Sequence, residues 1–576
     1  SHPEPPLEDL LWTAAVSRIV LGPDVNIQAP PNLSYDEFPR LLDAGINDWG
    51  GVSPVTVDHV NPEAPWPEVE RLAAATRARG LELVPRLPIY PEYAGDLDRW
   101  ADKRVASAIR ARLDATGHGR EDSWAAGAPG HEPQFPQFAP LSGGTPAHHP
   151  LSSVAGNSAP MGHGTHRNGC SPVAEVLAKV RAEFELDEDE ITTLFEARGN
   201  DFRAVAAAAD VLRREVSGDT VTYVVTRNIN YTNVCYFRCG FCAFSKGKLA
   251  ANLRGAPYLV PLEEILRRCR EAWDRGAVEV CLQGGIHPGF TGDYYAEVCE
   301  TIKSELPDLH VHAFSALEVW QGAATLGVPL ADYLERMRDV GLASLPGTAA
   351  EILDDGIRRI ICPDKVTTDQ WLHVHDTAHG VGLRSTTTIM FGSVEGPRSW
   401  ARHLIHLREQ QKRSGGFTEF VPLPFVHMEA PLFLKGLARP GPTFREAVLM
   451  HAVGRLALHP HITNVQASWV KLGVAGAQAA LRAGANDLGG TLMNESISRA
   501  AGAAHGQEMP PERMEKAIRG LGRTPRQRTT LYGTPQPERT RRSFGAPPLA
   551  EPLNPSVNDA RLERPVRLVR PGLAVA

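Results

Sequence analysis

Residues Asn230-Tyr-Thr-Asn-Val-Cys235-Tyr-Phe-Arg-Cys239-Gly-Phe-Cys242-Ala-Phe-Ser-Lys246 follow the β-branched run Val221-Thr-Tyr-Val-Val-Thr226, which reads as a strand. The spacing C-x3-C-x2-C therefore puts three thiols on one loop just beyond a strand end. Three soft thiolates so close together suit three irons of a cubane iron–sulfur cluster and leave its fourth iron open. A structural zinc site would need a fourth ligand, and the next cysteine, Cys269, falls on a predicted amphipathic helix. A ferredoxin run would add a fourth Cys followed by Pro, whereas Cys242 is followed by Ala-Phe-Ser. Structural zinc and a plain electron-transfer cluster stay open as the other readings of these residues.

C-x3-C-x2-C with an aromatic, Phe241, before the last Cys resembles the signature of the radical S-adenosylmethionine (SAM) enzymes. The resemblance implies a 4Fe-4S cluster on Cys235, Cys239 and Cys242, with the open iron chelating the amino and carboxylate groups of SAM. The longer string, Asn-Ile-Asn-Tyr-Thr-Asn-Val-Cys and then Cys-Gly-Phe-Cys-Ala-Phe, is similar to the subgroup that makes deazaflavin and menaquinone precursors.

At 576 residues the chain has room for two to four domains. Its 42% hydrophobic and 22% charged residues are ordinary for globular protein, and a net charge of -7 gives no hint of nucleic-acid binding. No run of about 18 uncharged apolar residues occurs, so no membrane span is expected. The first residues, Ser1-His-Pro-Glu-Pro-Pro-Leu, lack the basic and apolar regions of a signal peptide, and without an initiator Met they point to a fragment. Eight unevenly spaced cysteines are too few for a disulfide scaffold, which gives the expectation of a reducing cytoplasm. Cys281 is expected as a buried strand residue, and Cys269, Cys299 and Cys362 as core packing.

The chain also repeats itself. Asn26-Ile-Gln-Ala29 returns as Asn464-Val-Gln-Ala467, and Ala44-Gly-Ile-Asn-Asp-Trp-Gly-Gly51 returns as Ala483-Gly-Ala-Asn-Asp-Leu-Gly-Gly490. Arg79-Gly-Leu, Pro85-Arg86 and Tyr90 match Arg519-Gly-Leu, Pro525-Arg526 and Tyr532 in the same order. Residues 1–109 therefore read as the end of a domain whose complete copy occupies 175–545. In that first copy Val25–Gln28 and Asn47–Ser53 read as strand and turn, and Tyr35–Ala44 as a helix. Residues 110–174, rich in Gly, Pro, Ser and His, read as linker, and 546–576 as a Pro-rich disordered tail. His148, His149, His163 and His166 read there as solvated residues.

In the second copy Asp187-Glu-Asp-Glu190 fits a helix N-terminus. Candidate strands are Thr222–Asn228, Val278–Gln283, His310–Ser315, Ala343–Leu345, Arg384–Phe391, Phe417–Val421, Ile462–Ala467 and Asp487–Leu492. Helical stretches such as Leu262–Arg275 and Tyr294–Glu305 separate them. Strands alternating with helices predict parallel βαβ units. About eight such units predict an α/β fold, a (β/α)8 TIM-type barrel preceded by part of a second one. Reacting groups then belong at the C-terminal ends of the strands. His373, His375 and His379 have metal-like spacing, but they lie on a predicted helix between strands and read as surface or core residues.

The polar motifs fall at those strand ends. Gln283-Gly284-Gly285 offers backbone that a ligand can approach closely, and the radical SAM resemblance implies that it holds the methionine amino group. Ser315 and Glu318 resemble polar contacts of the same subgroup to SAM or substrate. Arg358 follows the fourth strand, where a guanidinium fork suits a carboxylate, although a solvated helix face is an equal reading. Gln466, Asn486 and Asp487 recur in both copies, which makes them pocket candidates.

Taken together, 175–545 resembles the tyrosine-using half of the family of 7,8-didemethyl-8-hydroxy-5-deazariboflavin (FO) synthases of coenzyme F420 biosynthesis, and 1–109 resembles the end of its cyclising radical SAM lyase half. The resemblance implies transfer of the 4-hydroxybenzyl group of L-tyrosine to 5-amino-6-(D-ribitylamino)uracil. It also implies a low-potential electron donor such as ferredoxin or flavodoxin. The lyase half lacks a cysteine loop in this sequence, so ring closure with loss of ammonia is expected to be incomplete. A menaquinone-pathway radical SAM enzyme and a non-enzymatic iron–sulfur electron carrier are the alternatives.

Overall fold

The run before the cysteine loop is two strands rather than one: β1 (Thr220–Val224) and β2 (Thr226–Ile229), interrupted at Val225. This is seen in a computed structural model that describes residues 6–53, 55–130, 171–245 and 256–555. Lys246, the four linker histidines and the tail beyond 555 lie outside the described residues. The interruption marks a change of partner. One edge of the run stays beside β8 (Asp487–Gly490) and the residues after it, through the Thr222 amide to Asn486 O and the Asn228 amide to Leu492 O. The other edge pairs first with β9 (Thr524–Arg528), Thr220 against Thr524, and then with β3 (Glu279–Leu282), Thr226 against Glu279.

From β3 the parallel order continues through β4 (His310–Ala313), β5 (Ser344–Leu345), β6 (Arg384–Phe391) and β7 (Phe417–Pro424). The predicted strand Ile462–Ala467 is reduced to two parallel bridges, Phe420 with Val465 and Gln466 with Asp487. Those bridges join β7 to β8 and close an eight-membered ring, the expected (β/α)8 barrel. β9 is a ninth strand that pattern reading misses, because Thr524-Pro-Arg-Gln-Arg carries a proline and two charges where a strand signal would be apolar.

Amphipathic helices cover the ring. Leu262–Asp274 buries Ile265, Leu266, Cys269 and Ala272 at helical spacing. Phe444–Leu458 is buried at every position except Arg445. Asp187-Glu-Asp-Glu190 starts a helix as predicted, Glu188–Phe195, and there Asp187 and Glu190 form a reciprocal capping box. His375 and His379 face Ser385 and Ser414 inside the packing, and no metal group includes them among the described residues.

The described chain divides into two compact units, one built on 6–85 with 171–175 and Arg198–Asp201, the other on the remainder from Arg86. The stretch expected as linker from residue 110 is described as far as Gly130, and there it is folded into the barrel unit. Arg110 donates to Gly436 O, Arg120 to Gly441 O and Pro442 O, and the Phe444 amide donates to Asp122. Trp124 meets Phe444 edge to face at 5.5 Å. Composition missed this because a few anchored side chains, rather than a periodic apolar face, hold the segment down.

In the smaller unit Pro39, which has no N–H to donate, divides the predicted helix into a 3-10 turn, Pro31–Glu37, and a short helix, Pro39–Asp43. The predicted strands there amount to one parallel bridge, Gln28 with Asp48. That bridge reproduces the barrel's Gln466–Asp487 bridge bond for bond. Asn47 Oδ1 accepts from Arg18 (3.0 Å) and the Ile27 amide (2.7 Å), as Asn486 Oδ1 does from Arg455 (2.6 Å) and the Val465 amide (2.9 Å). Asn47 donates to Asn26 as Asn486 donates to Asn464. Gly50 and Gly489 take φ of 73° and 77° with their amides on Asp48 and Asp487.

The two locks differ in burial, which separates their energetics. Asn486→Ala leaves one N–H of the buried Arg455 guanidinium and the buried Val465 amide without their acceptor, and is expected to cost at least about 2 kcal/mol in equilibrium denaturation. Asn47 is exposed, so water takes over its bonds and Asn47→Ala should cost less than about 1 kcal/mol. Equal costs would contradict the burial difference.

Candidate active site

The loop after β2 is held by its backbone and by neighbours rather than by its thiols. The Gly240 amide donates to Ile361 O and its carbonyl accepts from Leu432, while the Tyr236 amide donates to Ile286 O. The Arg238 amide reaches the Asp364 carboxylate. So fixed, Cys235, Cys239 and Cys242 are partly exposed and line one cavity of about 420 Å3 inside the C-terminal mouth of the barrel. Burial pushes all three thiols up. The Ile286 amide lies 3.4 Å from Cys235 Sγ, and the nearby Lys365 ammonium opposes the effect of burial on each thiol.

Gly284 and Gly285 make the turn after β3 that closes against this loop. A Cβ on Gly284 would lie 2.5 Å from the Tyr231 ring, and one on Gly285 2.2 Å from Val234 O, so neither position admits a side chain. The Gly284 amide donates to Glu318 Oε1 at 3.2 Å. Glu318, buried and pushed up by burial, also accepts from Tyr231 OH and from the Ser315 amide. Ser315 and Glu318 thus form the capping box of the helix Ala316–Leu326 while lining the cavity. Gln283 and Phe241 line it too, with Lys365 5.4 Å over the Phe241 ring.

Three predicted site residues take other roles. Arg358 directs its guanidinium at backbone carbonyls, Val366 at 3.0 Å, Ile352 at 3.1 Å and Ala349 at 3.2 Å among them. It steadies a loop in which Ala349 and Glu351 have positive φ, and no donor is left for a substrate. Asn486 is occupied by the lock described above. Asp487 is fully buried, bonded to Thr222, Arg528 and the Gly489 amide. Gln466 does line the cavity, donating to Glu419 at 3.3 Å.

A sequence model of the radical SAM superfamily matches residues 229–405, and one of the CofH/MqnC C-terminal region matches residues 414–540. The 5-amino-6-(D-ribitylamino)uracil–L-tyrosine 4-hydroxyphenyl transferase of Methanothermobacter thermautotrophicus is 45% identical over 358 residues, covering 62% of this chain and 96% of that protein. The chain belongs to the radical SAM superfamily. The FO synthase of Streptomyces coelicolor is 44% identical over 562 residues, covering 94% of this chain and 64% of that protein. The chain thus spans a little under two thirds of the length of that relative. Among solved structures, the FeFe-hydrogenase maturase HydG from Carboxydothermus hydrogenoformans aligns with a TM-score of 0.49 at 13% identity, over 64% of this chain and 87% of that one.

The loop fits a radical SAM cluster. Its three thiols share a cavity, one already accepts a backbone N–H, and no group of three His, Cys, Asp or Glu among the described residues is gathered for a single ion. Separate irons of a cubane do not require such gathering. The cavity also holds polar groups that motif reading missed. Glu351 pairs with Lys365 at 2.6 Å, and Glu279, His312, Glu419, Lys471, Glu495 and Arg528 line the wall. Strand alternation gave the one available signal for some of them: Glu279, Cys281 and Gln283 occupy alternate positions and face inward together, so Cys281 is a cavity residue and not simple core. Cys269, Cys299 and Cys362 are buried as expected, Cys362 in the apolar cluster against Cys239 and Phe241.

Proposed function

We propose that the barrel of this chain transfers the 4-hydroxybenzyl group of L-tyrosine to 5-amino-6-(D-ribitylamino)uracil, the tyrosine-using step of FO formation. The observation that carries the reading is one cavity with three loop thiols and the Gly284-Gly285 turn in its wall, in a chain 45% identical to a named transferase of that reaction. Cys235, Cys239 and Cys242 would hold the 4Fe-4S cluster. When bound, the cluster and SAM supply a 5′-deoxyadenosyl radical able to abstract hydrogen from the substrate. Gly284 and Gly285, which let the turn close against Tyr231 and Val234, would present backbone to the SAM methionine, with Gln283, Ser315 and Phe241 beside it. Phe237, Phe244, Leu317, Met390, Phe425 and Trp469 form apolar wall that keeps water from a reactive intermediate.

The lock shared by Asn47 and Asn486 supports reading 1–109 as the end of a second barrel, the cyclising lyase, with ring closure and loss of ammonia assigned to a complete copy of that half. A ferredoxin or flavodoxin in the cytoplasm would supply the electron. No described helix is long and apolar enough to cross a membrane. The menaquinone alternative is weakened by identity to an FO synthase over 94% of the chain, and a bare electron carrier has no use for a cavity of about 420 Å3.

An anaerobic reaction of reconstituted protein with SAM, reductant, L-tyrosine and 5-amino-6-(D-ribitylamino)uracil, read by mass spectrometry, tests the proposal. The tyrosine-derived adduct of the pyrimidine is expected. SAM cleavage without that adduct would overturn the substrate assignment.

A further inference from the structure

Two charged residues of the cavity wall lie outside the set assigned above to the cluster and SAM. Lys471 lies in the first turn of the helix Trp469–Arg482, and Glu495 in the loop after β8. Glu495 is 5% exposed. Its Oε1 accepts the Ser498 amide at 2.7 Å, while Oε2 is buried without a hydrogen-bond partner. Lys471 Nζ donates to Ser498 Oγ at 3.0 Å, and among the described residues no carboxylate lies within ion-pair distance of it. Burial pulls the Lys471 ammonium down, against the attraction of Glu495 and Glu351. A buried carboxylate oxygen and a buried ammonium that do not pair with each other each forgo the compensation that such groups normally find.

The backbone holds both groups in place. The Gly127 amide donates to Lys471 O at 2.7 Å, and its carbonyl accepts from Ala504 at 2.9 Å, so one residue ties the helix start that carries Lys471 to the segment that follows Glu495. Gly127 has φ of 82°, and a Cβ there would press on Ala503 at 3.0 Å and Val426 at 3.1 Å. The Asn494 and Glu495 amides both donate to Gln507 O at 3.0 Å, fixing Glu495 after three residues of positive φ, Leu492, Met493 and Asn494.

We propose that Lys471 and Glu495 clamp the head group of an α-amino acid substrate, Lys471 taking its carboxylate and Glu495 Oε2 its ammonium. The inference rests on the tyrosine reading above and extends it to named contacts. Of the two proposed co-substrates, tyrosine alone carries a fixed cation and anion on one carbon; the ribitylaminouracil offers neutral hydroxyls and amides. The methionine head of SAM carries the same charges, but its expected place is beside the cysteine loop and Gly284-Gly285, on the loops after β2 and β3. The clamp lies on the loops after β8 and the 465–466 bridges. Its role is positioning: it would hold the glycine-derived part of tyrosine still while the hydroxybenzyl part departs.

The test is equilibrium binding to the anaerobic, cluster-reconstituted full chain without reductant, using L-tyrosine, tyramine, 3-(4-hydroxyphenyl)propanoate and SAM. Lys471→Met should weaken L-tyrosine about 100-fold, the scale for losing one partner of a buried charge pair, and leave SAM within about twofold. Wild type should reject tyramine, which lacks the carboxylate, by a similar factor, and Lys471→Met should no longer distinguish tyramine from tyrosine. Glu495→Gln should likewise stop discriminating against 3-(4-hydroxyphenyl)propanoate, and Lys471→Arg should restore part of the tyrosine affinity. Unchanged tyrosine affinity in both variants overturns the clamp, as does parallel loss of SAM and tyrosine in Lys471→Arg. If Lys471→Met does not fold, equal binding of tyrosine and tyramine by the wild type overturns it. A wild type that binds SAM but no L-tyrosine overturns the transferase reading itself.

Discussion

Cys239→Ala is expected to bring 5′-deoxyadenosine formation from SAM down to the background of a reaction without reductant, and to leave the fold in place. The chemistry needs the thiolate, because a cubane on this loop has three protein ligands and the loss of one leaves it without its anchoring set. The fold does not need it. Cys239 is partly exposed, and the loop around it is fixed by the Gly240 amide and carbonyl on Ile361 and Leu432, which alanine retains. Removing one sulfur beside Phe241 and Cys362 should cost no more than about 1 kcal/mol. Chromatography of the anaerobic reaction measures the first effect, and visible absorbance with thermal unfolding separates cluster loss from misfolding. Cys299→Ala, a change in the core of the helix Gly292–Glu305, is the matched control and should keep the cluster. Retention of 5′-deoxyadenosine production by Cys239→Ala would remove the basis for assigning a cluster to this loop.

The barrel was legible in the sequence where the signal was local. The alternation of β-branched runs with amphipathic helices placed seven of the ring strands within a few residues, and the cysteine spacing placed the loop. One strand escaped because its cause is tertiary: Thr524–Arg528 owes its pairing to β1, distant in sequence, and its own residues carry no strand pattern. The predicted strand Ile462–Ala467 was placed correctly but too long, since only Val465 and Gln466 bridge to neighbours. For the site, recurrence of Gln466, Asn486 and Asp487 in two copies suggested three pocket residues, of which Gln466 alone lines the cavity. Asn486 forms the lock between the closing strands. Arg358 shows an ambiguity of chemistry: a fork suited to a carboxylate is equally suited to a set of backbone carbonyls. Lys471 and Glu495 gave no motif because loops from two different strand ends, tied by Gly127, bring them to one wall.

Arg528→Met is expected to destabilise the barrel by about 3–5 kcal/mol, the cost of leaving buried carboxylates without their cation. β9 delivers Arg528 into the barrel interior, where Nε lies 2.5 Å from Asp487 and Nη2 3.1 Å from Glu419. Burial pushes the Glu419 carboxyl up and Arg528 pulls it back, while Tyr532 OH donates to the same carboxylate at 2.5 Å. The guanidinium also lies 4.1 Å from the centroid of the Tyr532 ring. Methionine fills most of the volume but supplies no charge, so the loss measured is chiefly electrostatic. Lysine supplies the charge without the planar fork that reaches two carboxylates, and Arg528→Lys should recover only part of the stability. Pairing Arg528→Met with Asp487→Asn should cost less than the two single losses added, because the second change removes a charge that the first left stranded. Denaturation of these variants therefore tests the seating of β9. A loss below about 1 kcal/mol for Arg528→Met is the magnitude of a solvent-exposed pair, and would mean that the strand after residue 523 does not enter the barrel in solution.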